Sequence, residues 1–230
     1  MLVQLHPGIQ LRLAHIGRER APLLVVDNFC ADPDALVRIA CASSFTVKSP
    51  YFPGIRASAP ADYQQAFSGI IRDAIVSHFS LRGAALRFPT CDFSLVTTPR
   101  DRLQIPQKVP HVDSIEGSGL ASIHYLFKRD LGGTAFYRHR KTGFEFIDET
   151  RVKTYVETIN TEFLRPEDDG YINGDTPLFE QVASEAPLFN RLLIYRRNSL
   201  HSGSIARDFV PDPNPATGRL SINSFIDGSD

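Results

Sequence analysis

Apolar residues along this chain fall first into one strand-length run and two helical stripes, then into a series of short strand-length runs. Leu23-Leu24-Val25-Val26-Asp27-Asn28-Phe29 reads as a buried strand. Asp32-Pro33-Asp34 follows, a capping carboxylate with proline at the first helical position, and it opens a helix carrying Leu36, Val37, Ile39, Ala40 and Cys41. Phe67, Ile70, Ile71, Ala74 and Ile75 recur at helical spacing and predict a second helix from about Pro60 to His78.

From Leu86 onward the period shortens. Phe88–Val96, Gly119–Phe127, Thr134–Tyr137, Asn190–Arg196 and Arg219–Ile226 are predicted strands. One amphipathic helix interrupts them, with Val152, Tyr155, Val156, Ile159 and Phe163 as its core-facing stripe. Arg207–Gly218, with Pro211, Pro213 and Pro215, reads as an exposed loop or lid. No internal repeat or low-complexity tract is present. Strands with long loops after an α-rich start indicate a β-sandwich or small barrel with helices packed on one side.

Composition narrows the function classes. The 230 residues fit one domain, and 42% hydrophobic content with 16 Phe and 7 Tyr is enough for a packed core. Lys and Arg total 25 against 26 Asp and Glu, so the chain lacks the positive field of a non-specific nucleic-acid binder, and no nucleic-acid partner is expected. The early apolar stretch Ala21–Val26 is far too short to cross a bilayer, and Pro7, Gly8, Gly17 and Arg18-Glu19-Arg20 interrupt any secretory signal. The expectation is a soluble, cytoplasmic protein with no membrane partner. Cys30, Cys41 and Cys91 are odd in number and widely spaced, which predicts three buried thiols in a reducing compartment rather than disulfides or a thiolate zinc site.

The run that carries chemistry is Pro110-His111-Val112-Asp113. In a strand, His111 and Asp113 share a face, and an imidazole nitrogen with a carboxylate oxygen makes two thirds of a facial iron(II) site. About one His-x-acid match is expected from composition alone, so taken by itself the motif is better accounted for by a hydrogen-bonded pair at a strand end, and the residues downstream are what favour iron. Downstream, Asn198-Ser199-Leu200-His201-Ser202-Gly203 places a histidine after the apolar strand Leu192–Tyr195. Gly218-Arg219-Leu220-Ser221 then opens the last strand, with Arg219, Ser221 and Asn223 on one face. A guanidinium beside a hydroxyl inside a pocket is a receptor for a carboxylate.

Together these landmarks resemble the iron(II)- and 2-oxoglutarate-dependent dioxygenases, particularly the prolyl 4-hydroxylase-like branch. In order they are His111-Val112-Asp113, Ile123-His124-Tyr125-Leu126-Phe127, Gly132-Gly133-Thr134-Ala135-Phe136, Leu200-His201-Ser202-Gly203 and Arg219-Leu220-Ser221, spanning roughly Phe88 to Ile226. The resemblance implies a mainly β (α+β) chain with a double-stranded β-helix, or jelly-roll, core and flanking helices. Residues 1–85 would form an α/β support region and 86–230 the core, with a helical insertion near 150–165. It implies that His111, Asp113 and His201 bind Fe(II), that Arg219 holds the distal carboxylate of 2-oxoglutarate, and that Tyr125 and Ser221 assist. O2 would be the oxidant, a C–H bond the target, and succinate and CO2 the co-products.

Other residues carry less. His124 points away from Tyr125 and reads as structural, Gly132-Gly133 as a turn, and Arg138-His139-Arg140-Lys141 as a solvated loop that contacts substrate only if it lines a pocket mouth. The substrate, small-molecule or peptidyl, would be selected by Ser44–Ala59, Arg138–Gly143 and Arg207–Gly218. Oligomeric state is left open. The rival readings are a redox-silent zinc site and a non-catalytic jelly roll.

Overall fold

The computed structural model describes residues 3–81, 83, 85–162 and 170–229. Strand β1 (Gln10–Ile16) turns into β2 (Ala21–Asp27), the strand expected from the first apolar run. Leu23 and Val25 of β2 join one core cluster and Leu24 and Val26 another, so the unbroken apolar run reflects a strand buried on both faces. Helix α1 (Pro33–Cys41) starts where expected, with Asp32 Oδ1 accepting the Ala35 N–H at 2.9 Å. Its inward face is Leu36 and Ala40, one turn apart, which leaves the adjoining Cys41 exposed. Of the three expected buried thiols only Cys30 is fully buried. Cys91 is half-buried, and all three are free.

Strand β3 (Gly54–Ser58) has no counterpart in the sequence expectation. The single helix expected over Pro60–His78 is two pieces, a 3-10 turn at Ala61–Phe67 and α2 (Ile70–Phe79). They break at Gly69, whose φ of 55° is a left-handed conformation that no helix interior accepts. Phe67, Ile71 and Ile75 remain buried, so the apolar period passes across the break, while Ile70 from the same stripe is exposed.

Strands β4 (Ala85–Val96), β5 (Leu120–Tyr125) and β6 (Gly133–His139) follow. Strand β6 is longer than expected, and this overturns the loop reading of Arg138 and His139. Both are buried, Arg138 between Glu145 and Glu180 and His139 with Nε2 2.8 Å from Glu162. Helix α3 (Val152–Glu162) buries Ile159, but Val156 is exposed and Phe163 lies outside the described residues. The chain closes with β7 (Phe179–Glu185), β8 (Leu192–Arg196), β9 (His201–Ser204) and β10 (Leu220–Ser229), and residues 207–218 form the expected loop.

The strands make two antiparallel sheets, one of seven in the order β1-β2-β8-β5-β10-β4-β3 and one of three in the order β7-β6-β9. The outer face of the large sheet is covered by α1, the 3-10 turn and α2 around Leu36, Tyr63, Phe67, Ile71 and Ile75. Its inner face packs on the small sheet through Val25, Ile123, Tyr125, Phe136, Leu193 and Tyr195. This is an α+β chain with a jelly-roll core, as expected. Burying each such side chain contributes about 1.5–3 kcal/mol, and the cavity described next opens between the two layers. No helix among the described residues is long and apolar enough to cross a membrane.

Candidate metal centre

His111 belongs to no long strand, yet its backbone exchanges both hydrogen bonds with His201, at 2.9 and 3.0 Å. Residues paired this way across an antiparallel bridge project from the same face, and the two imidazole centroids stand 4.5 Å apart. Two residues on, the Asp113 N–H donates to the Arg197 carbonyl at 2.8 Å, which returns the carboxylate to the same side. One ligand atom from each of His111, Asp113 and His201 lies within 4.8 Å of the others. Asp113 sits between the rings, its Oδ1 3.7 Å from His111 Nε2 and its Oδ2 3.5 Å from His201 Nε2.

The protonation of the set suits a cation. His201 Nδ1 lies 2.9 Å from the Ser199 carbonyl, which can only accept, so Nδ1 carries a proton and Nε2 is the nitrogen turned toward Asp113. Tyr195 and Phe136 pack on the His201 ring at 4.8 and 6.4 Å between centroids and hold its orientation. The His111 side chain is about half accessible and lines a cavity between the two sheets. That enclosure, with the His201 ring and the Arg56 guanidinium nearby, pushes its imidazole down to about 4 against the pull of Asp113. The ring is therefore neutral at physiological pH, the form that binds metals.

The same cavity is lined by Arg219, which is 4% exposed. Its Nε donates to the Leu131 and Gly132 carbonyls at 3.1 and 3.0 Å and its Nη2 to the Gly133 carbonyl at 2.8 Å. The Gly132-Gly133 turn thus anchors the guanidinium as well as reversing the chain. A Cβ at Gly133 would fall 1.9 Å from the Glu185 carbonyl oxygen, and Gly132 has φ 87°. No carboxylate of a described residue pairs with Arg219, and Nη1 makes no hydrogen bond to one. A buried cation without a counter-charge is costly, and the arrangement favours an anionic ligand.

Tyr125 and Ser221 stand one layer back. The Tyr125 hydroxyl bonds Thr134 Oγ1 at 2.6 Å, and burial pushes it up to about 12 although Arg219 favours its ionised form. Ser221 Oγ donates to Asn223 Oδ1 at 2.7 Å. Neither residue lines the cavity, whereas their partners Thr134 and Asn223 do. His124 faces the helix layer, fully buried, consistent with a structural reading. Sequence reasoning did not single out Thr134, Asn223 or Arg56 as cavity residues. Alternation along the last strand places Asn223 on the Arg219 face, Arg56 falls within the Ser44–Ala59 segment expected to select substrate, and nothing local marks Thr134.

A family model described as "Family of unknown function (DUF6445)" matches residues 7–226. No curated protein matches the sequence significantly. Similar solved structures include the epimerase SnoN in complex with Fe3+, alpha ketoglutarate and nogalamycin RO, 13% identical with TM-score 0.50 over 91% of this chain and 80% of that one. HygX from Streptomyces hygroscopicus, with nickel, 2-oxoglutarate and hygromycin B bound, is 9% identical with TM-score 0.46 over 96% and 83% of the two chains. A prolyl-4-hydroxylase from Pseudomonas putida is 13% identical with TM-score 0.43 over 97% and 94%. At these identities the likeness is one of fold.

Proposed function

The chain belongs to the DUF6445 family, whose description assigns no activity, and on that premise we propose that it is an Fe(II)- and 2-oxoglutarate-dependent oxygenase that hydroxylates a C–H bond. The observation that carries this reading is one cavity holding both a His-Asp-His cluster and a buried arginine without a carboxylate partner among the described residues. Two imidazole nitrogens and a carboxylate are the donor set of the non-haem iron oxygenases, and they leave other coordination positions free. A redox-silent site would have no evident use for Arg219.

His111 Nε2, a carboxylate oxygen of Asp113 and His201 Nε2 would hold the metal. When bound, iron and 2-oxoglutarate supply the oxidative chemistry, in which decarboxylation to succinate and CO2 is coupled to insertion of oxygen from O2 into substrate. The chain's own part is positional. The Ser199 carbonyl accepts from His201 Nδ1, which directs Nε2 toward the metal position. Arg219, pinned by three backbone carbonyls, presents its remaining N–H groups to the distal carboxylate of the co-substrate. Tyr125 orients Thr134 at the cavity wall, and Tyr195 and Phe136 pack beside His201 against water.

The test is succinate formation from 2-oxoglutarate in air, without added substrate, in protein reconstituted with Fe(II) or Zn(II). Slow uncoupled succinate release with iron and none with zinc is expected. Equal absence with both metals would contradict the proposal.

A further inference from the structure

Arg56 lies on β3, the edge strand of the large sheet, in a cross-strand row with Ser94 of β4, Ser221 of β10 and Tyr125 of β5. Directly paired residues share a face, so its side chain projects from the inner face and lines the cavity that holds His111, Asp113 and His201. Its backbone is fixed on both sides, exchanging hydrogen bonds with Thr46 at 2.8 and 2.9 Å and pairing with Ser94. Its Cζ stands 4.4 Å from the centroid of the Phe52 ring. The Nε atom is buried and makes no hydrogen bond, and no described carboxylate forms an ion pair with the group, Asp92 being taken by Lys48 at 2.7 Å.

The cavity therefore has two guanidiniums, carried by different parts of the large sheet. Arg219 immediately precedes β10, which lies two strand spacings from β3, so the two backbones are about 10 Å or more apart. Among the described residues, the only other charged side chain on the cavity wall is Asp113, which belongs to the His-Asp-His cluster. Once a divalent cation and the two carboxylates of 2-oxoglutarate are counted, one positive charge stays uncompensated.

We propose that Arg56 is the specificity-determining residue for the primary substrate and that this substrate carries a carboxylate, bound by the Arg56 guanidinium on the Phe52 side of the cavity. The inference rests on the oxygenase reading and deepens it. A single guanidinium with one unmatched charge fits a carboxylate monoanion, which its planar donors can grip in pairs, whereas phosphate dianions are generally met by several donors.

The test uses protein loaded with Mn(II), saturated with 2-oxoglutarate and titrated calorimetrically with N-acetyl amino acids, their methyl esters and simple phosphate monoesters. At least one acid is expected to bind about tenfold or more tighter than its ester. Arg56→Gln should abolish that preference and leave 2-oxoglutarate affinity unchanged, and Arg56→Lys should keep part of it. Acids that fail to bind, acids and esters that bind alike, or phosphates that bind tighter than every acid would overturn the proposal. So would a fall in 2-oxoglutarate affinity in Arg56→Gln, which would make Arg56 a co-substrate residue. Failure of the wild-type protein to bind 2-oxoglutarate at all would sink the oxygenase reading and this inference together, whereas the other failures touch only Arg56.

Discussion

Arg219 shows how a single residue's surroundings define its task. Three backbone carbonyls use its Nε and Nη2 and leave Nη1 without a partner among the described residues, so the group is rigid before any anion arrives. Arg219→Ala is expected to leave Fe(II) content unchanged while weakening 2-oxoglutarate binding by about 10- to 150-fold, the loss of a charge-assisted hydrogen bond of about 1.5–3 kcal/mol. Metal analysis and a co-substrate titration of the variant check this, and an unaltered titration would remove Arg219 from the role. At this scale the sequence was informative where a motif is local. His111-x-Asp113 is readable because alternation in extended chain brings i and i+2 together. That His201 pairs with His111 backbone to backbone is a long-range fact no local pattern encodes. Arg56 was hidden for a similar reason. It falls in the segment Ser44–Ala59 expected to select substrate, but only the edge-strand register aims it inward.

Elements meet at His124. Its ring is fully buried, with Nε2 3.1 Å from Asn190 Oδ1 and Nδ1 3.2 Å from the Tyr63 hydroxyl. Asn190 also holds Cys30 through both backbone groups, so one imidazole ties β5 to the 3-10 turn and to the chain after β2. The amide oxygen accepts, so Nε2–H donates and Nδ1 receives the tyrosine proton. This ring is satisfied only when neutral, and burial holds it down to about 4. A histidine near 6.5 in the unfolded chain then takes up a proton before the folded one does. Stability should fall as pH drops from about 6.5 to about 4 and level off below, by about 3 kcal/mol on this account. Denaturant unfolding across that range should show a shallower acid loss in His124→Gln than in the wild type. Equal slopes would mean that His124 is not kept neutral.

The element pattern was legible where apolar period and structure coincide, as in β2, β4, β5, β8 and β10, because these strands send apolar side chains into the core clusters of the two layers. It failed for β1, β3 and β7, which lie at sheet edges, and for β9, whose residues are His201-Ser-Gly-Ser204. These strands form through backbone pairing with a neighbour rather than through their own side-chain pattern. The break at Gly69 was missed because apolar spacing is blind to a backbone dihedral, and the strand ending at Arg138-His139 was missed because buried ion pairs look like a solvated basic run.

At the scale of the whole molecule, the two sheets and the helical layer divide the labour. The helix-covered face of the large sheet carries the main core, while its inner face and the small sheet enclose a cavity with one His-Asp-His cluster and two arginines. The central claim is that this cavity takes a ferrous ion and 2-oxoglutarate together. Anaerobic titration of 2-oxoglutarate into Fe(II)-loaded protein, followed by visible absorption, tests it directly. A charge-transfer band that saturates at one equivalent in the wild type and is missing from Asp113→Ala, whose iron content also falls, is the expected result. A wild-type protein that gives no band, or an Asp113→Ala variant that gives the same band with the same iron content, would contradict the account.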